Sequence, residues 1–210
     1  MKVLVIGANG QVGKHIVEKL KGTEHEPVAM VRDTNQIPQF EEQGVKTVLG
    51  DLEGDFESAF YGIDSVIFAA GSGPNTGADK TILIDQEGAI KAMHLSTFYG
   101  VRRFMMLSSV GADRPHLGTD DMKHYLYAKH RADEHLKSTD LNYTIVRPGI
   151  LTNDAGNGKV EIAEHLSEIG EIPREDVAHS IVHLLDVPAV EYKSYDLVSG
   201  EQKIDQLFRT

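Results

Sequence analysis

Residues 2–13, Lys2-Val-Leu-Val-Ile-Gly-Ala-Asn-Gly-Gln-Val-Gly13, constrain the fold of this chain more than any other stretch. Val3 to Ile6 form a short continuous apolar run, the pattern of a parallel strand covered on both faces. Gly7, Gly10 and Gly13 follow at a spacing of three, and Val12, Ile16, Val17 and Leu20 then recur at helical spacing. A strand, a glycine turn and a helix start in that order expose backbone N–H groups at the positive end of a helix dipole. That is where a dinucleotide pyrophosphate can sit. Asn9, Gln11 and Val12, which lie among the glycines, are candidate contacts with them.

Downstream, the pattern of strand followed by helix repeats. Strands are predicted at 27–31, 45–49, 65–70, 103–107, 143–146 and 194–198, and helices at 34–43, 56–61, 79–98, 122–138 and 174–185. The loop 71–77 is rich in turn formers, and 151–172 is read as an irregular stretch. Such alternation predicts an α/β fold, a Rossmann-like doubly wound parallel sheet. One domain over 1–210 is expected, with 151–210 holding a small substrate-side portion.

The formal charge of −11 argues against nucleic acid or an anionic membrane surface as the main partner. The chain has no cysteine, which excludes disulfides, thiol catalysis and cysteine-held metals. No apolar run is long enough to span a bilayer and no signal peptide is read, so a cytoplasmic location is expected. The partner is expected to be a small-molecule substrate, with the protein a monomer or homodimer. His179 and His183 share a helix face, but no glutamate follows the first, so the zinc-protease motif is absent and no metal is expected.

In a doubly wound sheet, ligands bind beyond the carboxyl ends of the strands. Strand two ends in Arg32-Asp33. An arginine there suits a 2′-phosphate and an aspartate suits a free ribose 2′-hydroxyl. Arg32 comes first after the apolar run and favours NADP over NAD, its alternative being a solvated surface charge. Asp51 and Leu52 offer an acceptor and an apolar wall for an adenine, although an aspartate after a glycine is equally a helix cap. Ala69, Ala70 and Gly71 are small enough for a cofactor ribose to approach the backbone, and Arg147-Pro148-Gly149 is a turn suited to the nicotinamide side. Ser108 and Ser109 end strand five, and Ser108 is also a candidate cofactor contact. Tyr125 and Lys129, four residues apart, share one helix face, and the ammonium beside the phenol makes the tyrosine a usable acid or base. Glu161, His165 and the loop 153–159 are expected at the border of a substrate cleft.

Taken in order, Gly7-x-x-Gly10-x-x-Gly13, Asp51, Ala69-Ala70-Gly71, Ser108-Ser109, Tyr125-x-x-x-Lys129 and Arg147-Pro148-Gly149 resemble the short-chain dehydrogenase/reductase superfamily. The likeness is to its atypical, NAD(P)-binding branch of epimerase- or dehydratase-like proteins. The resemblance implies that Ser109 orients a substrate carbonyl, with Ser108 the alternative. It implies that Tyr125 transfers the proton, that Lys129 binds the nicotinamide ribose, and that Arg32 takes the 2′-phosphate. Asp85 stands where the family usually has a fourth catalytic member, an asparagine, and a carboxylate cannot donate as an amide does. Read alone, Asp85 is a polar residue on the exposed side of a long helix. About sixty residues follow strand six, too few for the substrate portion of an extended epimerase. The expectation is an NADP-dependent oxidoreductase of a small carbonyl or hydroxyl compound. The alternatives are a non-catalytic NADP(H) sensor and an epimerase- or dehydratase-like isomerase.

Overall fold

The computed structural model describes residues 1–73 and 76–208; the rest of the loop read at 71–77, Pro74 and Asn75, lies outside them, as do Arg209 and Thr210. The elements run β1 (Lys2–Ile6), α1 (Gln11–Lys21), β2 (Glu26–Val31), α2 (Pro38–Glu41), β3 (Lys46–Leu49) and β4 (Ser65–Phe68). They continue with α3 (Ala78–Lys80), a π-helical segment (Thr81–Gly88), α4 (Ala89–Phe98), β5 (Arg103–Leu107), α5 (Lys123–Lys137) and β6 (Tyr143–Pro148). The remainder is β7 (Ile150–Thr152), β8 (Lys159–Ala163), β9 (Glu171–Pro173), α6 (Arg174–Leu185), β10 (Lys193–Ser199) and β11 (Gln202–Lys203).

Nine strands form one sheet in the order β11-β8-β10-β6-β5-β4-β1-β2-β3. From β10 to β3 every neighbouring pair is parallel, whereas β8 pairs antiparallel with both β10 and β11. The chain leaves β1 toward β2 and β3, then crosses to β4, β5 and β6 on the other side. The reversal of strand order therefore falls between β1 and β4, the place where a doubly wound sheet opens a crevice.

Alternation of side chains explains why the strands read as unbroken apolar runs. Val3 and Val5 join Met105, Val146 and the buried stripes of α1 and α6 on one face. Leu4 and Ile6 join Phe68, Phe104, Ile145 and the buried residues of α4 and α5 on the other. Each central strand is thus covered twice. On the first face Ile16, Val17 and Leu20 of α1 share a core with Val177, Ile181 and Leu184 of α6, and Lys19 Nζ lies 3.0 Å from Glu175 Oε1 across the helix pair. No described helix is long and apolar enough to cross a membrane.

Several expected elements differ. The helix read at 34–43 is a 3-10 turn, Thr34–Gln36, followed by the single turn of α2. Pro38 sits at the start of α2, where a missing N–H costs nothing, and cannot continue a preceding helix. The helix read at 56–61 is a short 3-10 turn, Glu57–Phe60. The stretch 151–172 is not irregular: it carries most of β7, all of β8 and the start of β9, strands of three to five residues each. Lys159 to Ala163 alternates only weakly in burial because β8 lies toward the sheet edge. The long helix read at 79–98 exists, but its middle is π rather than α.

Candidate active site

The glycine turn is tight because each of its glycines lacks a Cβ. Gly7 has φ of +86°, and a Cβ there would come within 2.6 Å of Ala70 N at the end of β4. A Cβ on Gly13 would lie 2.1 Å from Gly7 O. Gly10 N–H donates to Gly7 O at 2.9 Å and Lys14 N–H donates to Gly10 O at 3.0 Å, so the turn closes on itself as α1 begins. No side chain caps α1 and its first turn carries no acid. Gln11 is exposed and Val12 is buried beneath the turn, while Asn9 is fixed by accepting a hydrogen bond from Gln39 Nε2 at 2.6 Å. The uncapped N–H groups and the absent Cβ atoms fit a pyrophosphate. The start of α6 is the opposite case. Its first-turn acids are spent, Glu175 accepting from Gly156 N–H and Asp176 from Asn157 and Gly158 N–H, which ties down the loop 153–159.

Beyond β2 and β3 lies a shallow recess of about 440 Å³ bordered by Arg32, Asp33 and Thr34 on one side and Gly50 and Asp51 on the other. Arg32 is exposed, and its backbone N–H donates to Gln36 Oε1 at 3.3 Å. Both aspartates act as local caps: Asp33 Oδ1 accepts from Asn35 N–H at 2.8 Å and Asp51 Oδ1 from Glu53 N–H at 3.0 Å. Leu52 is half-buried against Gly88 of the π segment, where a Cβ would meet it at 3.0 Å.

On the other side of the crevice the structure brings Asp85, Lys129 and the end of β4 together. Asp85 is 1% exposed, not on an outer helix face as its polarity alone suggests. Its Oδ2 accepts from Ser72 N–H at 2.8 Å, and its Oδ1 lies 3.7 Å from Lys129 Nζ with no hydrogen-bond partner. Ala69 and Ala70 lie against Gly7, and a Cβ on Gly71 would come within 3.0 Å of Asp85 Oδ1. The π segment is the local device at this position, since a wider turn changes which side chains face α5. Lys129 is 3% exposed. Burial works against its charge, but the Tyr125 phenol and the Asp85 and Asp133 carboxylates outweigh that penalty and hold its pKa above the ordinary lysine value. Tyr125 is half-buried one turn earlier on the same helix.

The two serines at the end of β5 separate. Ser108 is buried and its hydroxyl donates to Asp133 Oδ2 at 3.0 Å, so it faces inward and is not free to contact a cofactor. Ser109 is half-buried, its hydroxyl donating only a long 3.3 Å bond to Val110 O. Its loop is held against α5 by His130 Nδ1, 2.8 Å from Ala112 O, and against β6 by Val110 N–H, which donates to Pro148 O at 3.0 Å. Arg147 also turns inward. Its Nε and Nη2 both lie 3.0 Å from Asp133 Oδ2, in a pair that is essentially fully buried, so of the turn at 147–149 the arginine is a strut beneath the cleft rather than part of its lining. Glu161 is exposed on β8, and His165 Nδ1 lies 3.4 Å from Asp113 Oδ2.

Sequence reasoning missed Asp133, the hub of this inner network. Its spacing of four from Lys129 was the available signal, because it puts both charges on one face of α5. Ser72, which holds Asp85 through its backbone, leaves no mark in sequence.

Comparison with known proteins finds relatives along nearly the whole chain. A family model described as NAD(P)H-binding matches residues 7–188. A curated relative from Bacillus subtilis (strain 168), named as an uncharacterized sugar epimerase, YhfK, is 41% identical over 213 residues, covering 100% of this chain and 99% of its own. A solved structure from Bacillus halodurans, whose name assigns it provisionally as an NAD-dependent epimerase/dehydratase, is 49% identical with a TM-score of 0.96, covering 99% of this chain and 98% of its own. The oxidoreductase ylbE from Lactococcus lactis is 31% identical with a TM-score of 0.87, covering 98% of this chain and 94% of its own.

Proposed function

Because this chain belongs to the NAD(P)H-binding family of atypical short-chain dehydrogenase/reductase-like proteins, we propose that it is an NADP-dependent oxidoreductase acting on a small carbonyl or hydroxyl compound. The observation that carries this reading is the buried Lys129 beside Asp85, one helical turn from the half-buried Tyr125. The nicotinamide, when bound, supplies or accepts a hydride. In the reducing direction Tyr125 gives its hydroxyl proton to the substrate oxygen, and Ser109 donates a hydrogen bond that holds that oxygen in place. Lys129 binds a ribose hydroxyl and stabilises the phenolate left on Tyr125. Asp85 positions Lys129 and keeps it charged. The N–H groups at the start of α1, with Gly7, Asn9, Gly10, Gln11, Val12 and Gly13, hold the pyrophosphate; Ala69, Ala70, Gly71 and Pro148 line the ribose and nicotinamide. Asp51 and Leu52 flank the adenine, and Arg32 takes the 2′-phosphate.

Tyr125→Phe is expected to lower turnover of NADPH with an accepted carbonyl by roughly 10²–10⁴-fold while cofactor binding persists. Unchanged turnover would remove Tyr125 from the chemistry. Arg32→Ala is expected to weaken NADP binding and leave NAD binding alone; equal loss of both would reject the 2′-phosphate role. The names of the relatives support a second reading, an epimerase-like isomerase that oxidises and re-reduces one substrate. It is distinguished by product formation without net change in cofactor absorbance.

A further inference from the structure

Away from the cleft, α4 and α5 pack through Ala92 and Met93 against Ala132 and Leu136. At the outer rim of that seam His94 and His135, each next to one of these core residues, bring their Nε2 atoms to 3.1 Å. The rings meet edge to face, 78° apart with centroids at 4.9 Å. Two imidazole nitrogens on one ion at about 2.0–2.1 Å each lie roughly 2.9 Å apart at a right angle and roughly 3.3 Å apart in a tetrahedron. The observed separation falls between these values. The geometry points to a surface site for a divalent transition ion such as Zn²⁺, held by His94 Nε2 and His135 Nε2 and completed by solvent.

In the ion-free protein the pair shares one N–H···N bond. Binding needs only that the donor ring move its proton to Nδ1, which frees a second lone pair, and no net proton is lost. Among the described residues no group of three or more metal-ligating side chains exists, so this is a two-ligand site. An ion there pins α4, which continues from the Asp85 segment, to α5, which carries Tyr125 and Lys129. The site is independent of the catalytic reading, since neither histidine belongs to the cleft.

The test is titration of the untagged protein with Zn²⁺ against a chromophoric zinc indicator, with x-ray absorption of the loaded sample to count imidazole ligands. The expected result is one saturable ion per chain with two imidazoles. Its affinity should fall by about tenfold or more in both His94→Ala and His135→Ala, and be unchanged in the His179→Ala/His183→Ala control. Both single variants are surface changes whose folding is checked by circular dichroism. Failure to saturate at millimolar Zn²⁺, or binding that survives both single variants, would overturn the proposal.

Discussion

Lys129 and Asp85 are less than 4 Å apart, both nearly inaccessible, and neither is satisfied by the other alone. A buried ammonium persists only where neighbouring negative groups offset the loss of water. In this protein those groups raise the Lys129 pKa. A raised folded-state pKa means that the ammonium's contribution to stability is fully present below the ordinary lysine value of about 10.4, and is lost as pH rises through the folded value. Asp85→Asn keeps the shape and the contact with Ser72 N–H but removes the charge. The variant is expected to move the alkaline limb of the kcat/KM profile to lower pH and to narrow the alkaline range of stability. A profile that does not move would show that Asp85 acts by shape alone. The sequence displayed Tyr125, Lys129 and Asp85 as members of one pattern, but not that Asp85 is inside. Its burial comes from the π turn and from Ser72, and neither a hydrogen-bond register nor a backbone donor thirteen residues away is written in residue type. The same limit left the resemblance alone to put Ser109 ahead of Ser108, since which of two adjacent strand-end residues faces the core depends on where Asp133 arrives.

At the scale of elements, the first strand–turn–helix unit was the most legible part of the chain. A run such as Val3–Ile6 has one explanation, burial on both faces, and glycines at 7, 10 and 13 leave few turns open. Gly13→Ala tests how much of the unit rests on close approach. The added methyl must displace Gly7 O, which is backbone and shared with the Gly10 hydrogen bond. A loss of about 1–3 kcal/mol in urea unfolding is expected, together with loss of dinucleotide affinity; a variant that binds NADP normally would place the pyrophosphate elsewhere. Strands β7, β8 and β9 were illegible for the complementary reason. Each is short and partly exposed, so its pairing is decided by β10 and by its partner across the chain rather than by its own periodicity.

For the whole molecule, the doubly wound sheet was readable because alternation of strand and helix admits few connections, nearly all right-handed where they cross between parallel strands. The antiparallel margin formed by β8 and β11 was not, and it extends the sheet beyond what simple alternation predicts. The shared core of α1 and α6 carries a further consequence. The helix whose start is proposed to hold the pyrophosphate rests on a helix encoded more than 150 residues later, and their ion pair, Lys19 with Glu175, joins the same two elements. The first strand–turn–helix unit and the C-terminal helix therefore share one core, which neither evolution nor a protease could divide without exposing apolar surface. A fragment ending at residue 150 is expected to expose the apolar stripe of α1 and to aggregate, where a self-sufficient nucleotide-binding half would give a cooperative melt stabilised by NADP.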